Sequence, residues 1–378
     1  MPSAAVLLLL AAGILLAGAR VGAATPEAAR SLPTRPAAAI AATVVDGISY
    51  VSAQDAAARL GLKERWTKRL KTLTLSDARN KLEFAADSRE ATVNGRLVYL
   101  GDATLLRRGQ LYLSRIDFER RLLPVVRPAL CPAIPSRPTV IALDPGHGRP
   151  DDGMTNDKLG LKERVLTLDV ARRLRKLLEA AGYKVVLTRD DDDALSPEKK
   201  IDFPRRAAIA NRAGADVFVS IHFNSLYPDT RTHGTEVYTY APATQHAVGW
   251  WGAPRKTDPD LETEPAPVNR FDAWSSLLAH ELQASGVDTL KTPDRGAKIM
   301  HLAVLRNVEC PAGRVEAVFL SNDDEARRAA TAEYREEIAR ALLAGIRTYA
   351  TALEGARRGE KSAGILLPLP SSGVAVLP

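Results

Sequence analysis

The sequence predicts an α/β fold: a three-layer, mostly parallel, twisted sheet with helices on both faces, preceded by a small α+β domain. Two observations support this prediction. From residue 139 onward, short apolar runs alternate with longer segments of helical periodicity; the runs are Val140–Leu143, Lys184–Thr188 and Asp216–Ile221. Strands separated by helices in this way pair in parallel through right-handed crossovers. Before residue 127, shorter alternating segments and a hairpin signal predict the smaller unit.

Length and composition narrow the classes of function. The 378 residues are enough for one to three domains and a sizeable core. The formal net charge of +7 suits an acidic polymer, but Lys and Arg are dispersed, so we interpret it as a solvated basic surface. Aromatic residues make up 5% of the chain and do not alternate with basic ones, which argues against a nucleic-acid partner.

The first 24 residues have the pattern of a secretory signal peptide. An unbroken apolar run from Ala4 to Ala17 is followed by small residues, with an A-x-A-like cleavage site after Ala23 or Ala24. The run is too short for a confident membrane span, so we expect export and no span after signal cleavage. No Lys or Arg precedes the run, and an uncleaved anchor is the alternative. The protein would then be periplasmic or extracellular and associated with the cell wall.

Residues 43–126 are interpreted as a small α+β module. Asn94-Gly95 is a strong hairpin turn signal, and Gly61 ends a helix. The predicted strands are Ile48–Val51, Thr72–Leu75, Lys81–Phe84 and Leu111–Leu113, and the predicted helices are Ala53–Leu62 and Ile116–Leu123. No histidine occurs before His147, so the module contains no evident catalytic group. A binding role and a spacer role both stay open.

Composition also marks the boundaries of the larger domain. Five prolines between residues 124 and 138 predict a stiff, extended linker at residues 127–138. The catalytic domain is predicted at residues 139–353, and a flexible Gly- and Pro-rich tail at residues 354–378. The only cysteines, Cys131 and Cys310, are either paired or buried as thiols.

Three residues of the larger domain are candidate metal ligands. His147 follows the turn that ends the first strand, His222 follows the third strand directly, and Glu163 begins a long amphipathic helix. Because parallel strands end at one sheet edge, the two histidines can share a site. Two imidazoles and a carboxylate form the protein part of a catalytic zinc (Zn2+) site with an open position for water, with other divalent ions as the alternative. Taken singly, His222 would be a structural histidine.

Glu316 is a candidate catalytic acid/base. It lies within the apolar run Val315–Leu320, where a carboxylate is costly unless it is paired or meets another charged group. Such a glutamate can take a proton from water and give one to a leaving amine. Arg314 lies on the same face of the strand, so it either pairs with Glu316 or contacts a substrate carboxylate.

Two further predictions concern the flanks of the site. The polar stretch between Tyr240 and Phe271 contains Trp250-Trp251 and is interpreted as a loop beside the cleft, with a variable surface loop as the alternative. Asn322 and Glu325 predict the start of one long helix. Its buried stripe is predicted at Ala330, Tyr334, Ile338, Leu342 and Ile346.

From Val140 to about Tyr349 the chain resembles the zinc-dependent N-acetylmuramoyl-L-alanine amidases. Six ordered motifs support the resemblance: D-P-G-H-G (144–148), G-L-x-E (160–163), L-T-R (187–189), S-I-H-x-N (220–224), V-L-R (304–306) and P-A-x-x-V-E-x-x-F-L-S-N (311–322). The resemblance implies zinc on His147, Glu163 and His222, with Glu316 as acid/base. It also implies peptidoglycan as the partner and cleavage between the muramic acid lactyl group and L-alanine, in wall remodelling or daughter-cell separation.

The first module resembles, more loosely, the amino-terminal module named after copper amine oxidases, and the name implies no copper here. The chain departs from the amidase pattern at Arg149, Gly313, Arg314 and Val318. These departures leave the level of its catalytic activity open. Two alternatives therefore stay open. One is a peptidoglycan binder that is non-catalytic or depends on an activator protein, and the other is a zinc peptidase acting on stem peptides.

Overall fold

The structure, a computed structural model, describes residues 40–67, 72–247 and 269–359. The predicted signal peptide, Trp250-Trp251 and the tail beyond residue 359 lie outside the described residues. Among the described helices, none combines the length and the apolar composition that crossing a membrane requires.

The first part of the described chain is built from short strands joined by tight turns. Ser52 caps the first helix by accepting from the Asp55 amide at 3.0 Å, and Gly61 ends it with a φ of +66°. Asn94 and Gly95 both have positive φ, which matches the twist of the hairpin they close. The elements are β1 (Ala42–Val45), β2 (Ile48–Ser52), α1 (Ala53–Leu60), β3 (Lys63–Thr67), β4 (Thr72–Ser76), β5 (Lys81–Ala85), β6 (Glu90–Val93), β7 (Arg96–Tyr99), β8 (Leu105–Arg107), β9 (Gln110–Ser114), α2 (Arg115–Asp117), a π-helical turn (Phe118–Leu122) and α3 (Leu123–Val126).

The second part alternates strands and helices as predicted. Its elements are β10 (Val140–Pro145), β11 (Thr155–Asn156), β12 (Leu161–Lys162), α4 (Glu163–Ala180), β13 (Lys184–Leu187), α5 (Lys199–Arg212), β14 (Val217–Asn224), β15 (Thr235–Tyr240), α6 (Asp272–Leu290), β16 (Asp294–Met300), α7 (Ala303–Arg306), β17 (Ala312–Phe319), α8 (Asp323–Ala330) and α9 (Ala332–Arg357). α9 thus continues beyond residue 353, where the catalytic domain was predicted to end.

One large sheet passes through most of the molecule. Its 11 strands follow the order β13-β10-β14-β17-β15-β16-β7-β6-β5-β4-β3. Within the second part, β15 and β17 are antiparallel, and the other neighbours in this sheet are parallel. The prediction of a mostly parallel α/β sheet is therefore confirmed for this part. β1, β2, β9 and β8 form a separate four-stranded antiparallel sheet.

Alternate residues of each central strand pack on opposite faces of the sheet. Val217, Val219 and Ile221 of β14 join the larger core with α4, α6 and α9. Phe218 of the same strand joins a smaller core with α5 and α7. This division places helices on both faces and leaves the carboxyl ends of β10 and β14 at one edge, where the candidate metal ligands lie.

The two parts of the chain are joined more closely than a linker between separate domains implies. β7 pairs in parallel with β16 through Val98 and Ala297, so the antiparallel strands of the module extend the central sheet. The larger core contains Leu73 and Phe84 from the module as well as Leu174 and Ile346. The domain boundaries at 43–126 and 139–353 stay predictions.

Several element predictions need correction. The predicted helix Ile116–Leu123 is three short helical segments. The single long helix predicted after Asn322 is two helices, because Thr331 has extended backbone and caps the second by accepting from Tyr334 N. Ala330 is consequently exposed rather than part of the buried stripe.

Candidate metal centre

The turn after β10 brings two strand ends unusually close together. His147 has a φ of +62°, a conformation that costs energy for a residue with a side chain. The Gly146 amide donates to the Ile221 carbonyl of β14 at 3.0 Å. A Cβ on Gly146 would lie 2.3 Å from Cε1 of His222, so this position requires glycine for the close approach of the two histidines.

His147, Glu163 and His222 lie together, with one ligand atom from each within 4.8 Å of the others. His147 Nε2 is 3.1 Å from Glu163 Oε2, and His222 Nδ1 is 3.0 Å from Glu163 Oε1. His222 belongs to β14 itself, whereas the sequence analysis placed it directly after the strand. This corrects the end of the strand and leaves His222 in the site. Glu163 is the first residue of α4, as predicted.

The donor set fits a divalent cation. Two imidazoles and a carboxylate are typical of a zinc site with an open position, and the buried Nε2 of His147 faces Glu163 Oε2 at 3.1 Å without a well-aligned hydrogen bond. Burial alone lowers the pKa of His147, but the carboxylates of Glu163 and Asp151 outweigh it and raise this pKa to about 10. Burial and Arg314 lower the pKa of His222 to about 4. A cation would supply the positive charge that a proton on His147 otherwise supplies.

Asp151, which the sequence analysis missed, fixes the orientation of His147. Its Oδ2 lies 2.8 Å from His147 Nδ1, so the imidazole can donate there and present Nε2 to the cluster. Lys199 Nζ lies 3.2 Å from the same carboxylate oxygen. Asp151 follows His147 by four residues in a polar loop, and that proximity was the signal that could have identified it.

A buried ion-pair network holds the turn beneath the cluster. Asp144 is fully buried and accepts from Thr188 Oγ1 at 2.6 Å, Ser220 Oγ at 2.6 Å and Arg206 Nη1 at 2.9 Å. Although burial opposes the shift, these partners hold the pKa of Asp144 below its ordinary value. Arg206 also donates to the His147 carbonyl at 2.6 Å and to Asp202 at 2.5 Å. The network therefore connects α5 to the strained turn.

Glu316 lies next to the cluster on β17, in register with His222 of β14. Its Oε1 accepts from Arg314 Nε at 2.6 Å, as one of the two sequence interpretations expected, and its Oε2 is buried with no hydrogen-bond partner in the described part of the chain. Burial raises the pKa of Glu316 to about 7, with Arg314 opposing the rise and Glu163 adding to it. This carboxyl is therefore able to accept and release a proton near neutral pH.

Glu236 is a second buried carboxylate that the sequence analysis missed. It lies on β15 in register with Glu316 and accepts from the hydroxyl of Tyr238 at 2.6 Å. Its other donors are Asn224 Nδ2, Lys298 Nζ and Arg295 Nε. The sequence signal for Glu236 is a glutamate in E-V-Y-T-Y, a run of β-branched and aromatic residues that is typical of a strand. Glu316 was identified from a similar position in an apolar run.

The other departures from the amidase pattern have different surroundings. A Cβ on Gly313 would meet only ordinary contacts, the nearest at 3.7 Å from Tyr238 O and Val237 Cγ1. Val318 is buried in the larger apolar core, and Arg149 is an exposed residue that pairs with Asp193. Cys131 and Cys310 are buried free thiols, which answers the question of their pairing.

Comparisons with known proteins agree with the motifs. A family model described as N-acetylmuramoyl-L-alanine amidase matches residues 141–348, and one described as the copper amine oxidase N-terminal domain matches residues 34–122. The chain is similar to the N-acetylmuramoyl-L-alanine amidase AmiC of Escherichia coli O6:H1, with 32% identity over 254 residues that cover 59% of this chain and 56% of that relative. The chain thus spans little more than half the length of that protein.

Two more proteins match a comparable share of this chain. The germination-specific N-acetylmuramoyl-L-alanine amidase of Bacillus subtilis is 28% identical over 228 residues, covering 58% of this chain and 83% of that relative. Among solved structures, the N-acetylmuramoyl-L-alanine amidase AmiC2 of Nostoc punctiforme is 27% identical, with a TM-score of 0.45, and covers 56% of this chain and 97% of that one.

Proposed function

Because the chain belongs to the N-acetylmuramoyl-L-alanine amidase family, we propose that it is a zinc-dependent enzyme that hydrolyses the amide between the muramic acid lactyl group and L-alanine of peptidoglycan. The observation that carries the proposal is the buried cluster of His147, Glu163 and His222 beside Glu316. When bound, zinc supplies a Lewis acid and a water molecule whose pKa is lowered to about 7.

The residues around the metal have separate roles in this proposal. His147, Glu163 and His222 hold the zinc, and Asp151 orients His147 through its Nδ1. Glu316 takes a proton from the attacking water at Oε2, the oxygen that no described residue hydrogen-bonds, and later passes it to the departing alanine nitrogen. A carboxyl with a pKa near 7 is suited to both transfers.

The setting of the enzyme is also part of the proposal. Export to the periplasm or the extracellular cell wall fits the apolar amino-terminal run and a peptidoglycan substrate. An activator protein is a candidate partner, because Arg314 pairs directly with the proposed base and a second protein that displaced it would release Glu316.

The test is a digest of purified peptidoglycan by the mature protein, with and without a chelator, analysed by mass spectrometry. We expect free stem peptides that begin at L-alanine, and no such products with chelator. Glu316→Gln should bind zinc and reduce turnover about 10²- to 10⁴-fold, because it removes the general base. Glu83→Gln is a matched control, since Glu83 also pairs with a basic residue two positions earlier, Lys81, at 2.9 Å, but on the solvent-facing side of β5.

The alternatives give different products. Stem fragments cut within the peptide, with L-alanine still attached to the sugar, would replace the amidase with a zinc peptidase. An unchanged sacculus from folded, zinc-loaded protein would contradict autonomous catalysis and favour a binder or an activator-dependent enzyme.

A further inference from the structure

One tyrosine is exposed at the sheet edge that carries the metal cluster. Tyr227 is 53% exposed, and among residues 40–67, 72–247 and 269–359 it is the one exposed aromatic side chain. It lies in the segment that joins β14 to β15. β14 ends two residues after His222, and β15 begins at the same edge because it runs antiparallel to β17 while β14 runs parallel to it. The segment therefore lies at the edge of the candidate metal ligands.

Hydrogen bonds fix the turn that carries Tyr227. The Leu226 amide donates to Ser321 Oγ at 3.0 Å, which ties the turn to the residues directly after β17. The Asp229 amide donates to the Leu226 carbonyl at 2.8 Å and closes the turn. Asp229 Oδ1 in turn accepts from the Arg231 amide at 2.7 Å. Because the backbone is held in place before any ligand arrives, binding to Tyr227 costs little conformational entropy.

A second exposed apolar side chain lies on another segment bonded to the end of β17. Leu159 is 38% exposed and lies in the connection between β11 and β12. Asn156 Nδ2 of the same hairpin donates to the Leu320 carbonyl at 2.9 Å, one residue before the serine that holds the Tyr227 turn. We call residues 156–159, 225–229 and 320–323 the rim of the site. The rim thus exposes apolar surface from two segments, whereas the cluster consists of imidazoles and carboxylates.

The chemistry of the substrate indicates what meets this rim. The amide that the proposed reaction cuts is attached to muramic acid through its lactyl group, so this sugar lies within a few bonds of the metal cluster when the amide is positioned for hydrolysis. The glycan strand continues from that sugar in both directions and has to leave the site past its rim. His222 and Tyr227 are five residues apart (222 to 227), so at most about 17 Å separates their Cα atoms. A few linked sugars can cross this distance.

Tyrosine suits a sugar ring as its ligand. Its ring offers a flat apolar face to the C–H groups of a pyranose, and its hydroxyl can exchange hydrogen bonds with sugar hydroxyls. We propose that Tyr227 binds a sugar of the glycan strand close to the muramic acid whose amide is cut, and that it thereby positions the strand on the enzyme. This inference rests on the proposed function, which places the amide at His147, Glu163 and His222.

The experiment measures the affinity of the zinc-loaded protein for immobilised glycan strands from which the stem peptides have been removed. Tyr227→Ala should weaken binding about threefold to tenfold, as the loss of one aromatic contact does. Tyr227→Phe keeps the ring and should retain most of the affinity. The difference between the unaltered protein and Tyr227→Ala should persist at high salt, because salt screens contacts between charges and not apolar contacts.

Tyr112→Ala is the matched control. Tyr112 is a partly exposed tyrosine of β9, in the separate four-stranded sheet, and its hydroxyl donates to Gln110 Oε1 at 2.9 Å. This variant should bind the strands like the unaltered protein. Because Tyr227 is mostly exposed, Tyr227→Ala should unfold at the same urea concentration as the unaltered protein. Equal losses of affinity in the two alanine variants, or an unchanged affinity in Tyr227→Ala, would overturn the inference.

A free stem tripeptide distinguishes the glycan from the peptide as the ligand of Tyr227. If Tyr227→Ala weakens binding of the tripeptide and not of the strands, the ring contacts the peptide and the inference is wrong. Absence of any binding of the strands by the unaltered protein would overturn it as well.

The peptidoglycan digest described above separates this inference from the proposed function. If stem peptides are released but Tyr227→Ala binds the strands as tightly as the unaltered protein, the amidase proposal stands and the inference fails. If the strands bind through Tyr227 but no stem peptides are released, the amidase proposal fails and the glycan contact is upheld.

Discussion

The two ends of the large sheet are stabilised by different interactions. Around β10, β14 and β17, the buried side chains include Asp144, Arg206 and Glu316, each held by specific partners. At the other end, β4 and β5 bury Leu73, Leu75, Leu82 and Phe84 with almost no exposed area. One end therefore adds buried, paired charge to its apolar packing, whereas β4 and β5 rely on apolar packing. Stability at the end that carries the candidate site is therefore sensitive to the loss of a single side chain, because a buried charge destabilises the fold once its partner is removed.

The two ends are nevertheless connected by defined contacts. Beside the Val98–Ala297 pairing, the Leu97 amide donates to Asp294 at 3.0 Å, and Arg96 pairs with Asp288 of α6. The fully buried Asp117 of the module accepts from Gln245 Nε2 at 2.7 Å. These contacts let a change at one end be tested for its effect at the other.

Removing Arg206 should give the largest effect. Arg206→Ala leaves Asp144 and Asp202 buried without their cation, so we expect a loss of about 3–5 kcal/mol in the free energy of unfolding. Urea unfolding of the metal-free protein measures it. Arg172→Ala, which breaks the exposed pair with Asp190, should cost at most about 1 kcal/mol. A similar loss in both variants would contradict the contrast between buried and exposed charge.

The sequence predicts local features of both ends and the convergence of the three proposed metal ligands. The Asn94-Gly95 hairpin depends on adjacent residues, and His147 and His222 meet because parallel strands end at one edge. Arg206 and Asp144 are 62 residues apart, as are Glu236 and Lys298, so no local pattern identifies these partners.

No local sequence pattern predicts the extension of the sheet into the module either. It depends on the pairing of Val98 with Ala297, which lie far apart in the sequence. No compositional feature of either segment marks this pairing. The break before α9 was different, because a local signal existed: Thr331 is a residue type that favours helix caps, and the apolar periodicity on both sides obscured it.

Asp151→Asn should have an intermediate effect, limited to the metal. An asparagine holds the His147 ring less firmly than a carboxylate, so the zinc dissociation constant should rise about 10- to 100-fold. Competition with a chromophoric chelator measures it. Asp152→Asn is the control from the same loop, because Asp152 pairs with Lys162 and Arg164 instead of a metal ligand. Equal losses of zinc affinity would mean that loop charge, rather than orientation of His147, sets the affinity.

The smallest effect is expected in the module. Gly95 has a φ of +79°, and a Cβ added there would have no atom of the described residues within 4 Å. Gly95→Ala therefore introduces backbone strain without a steric clash and should cost about 1 kcal/mol. Gly182→Ala after α4 has the same surroundings, with a φ of +88°, and should lose a similar amount in thermal or urea unfolding. Zinc affinity should be unchanged in both variants. A loss of zinc affinity in Gly95→Ala alone would show that the hairpin of the module is coupled to the metal cluster through β7 and β16. The two ends of the sheet would then not be independent of each other.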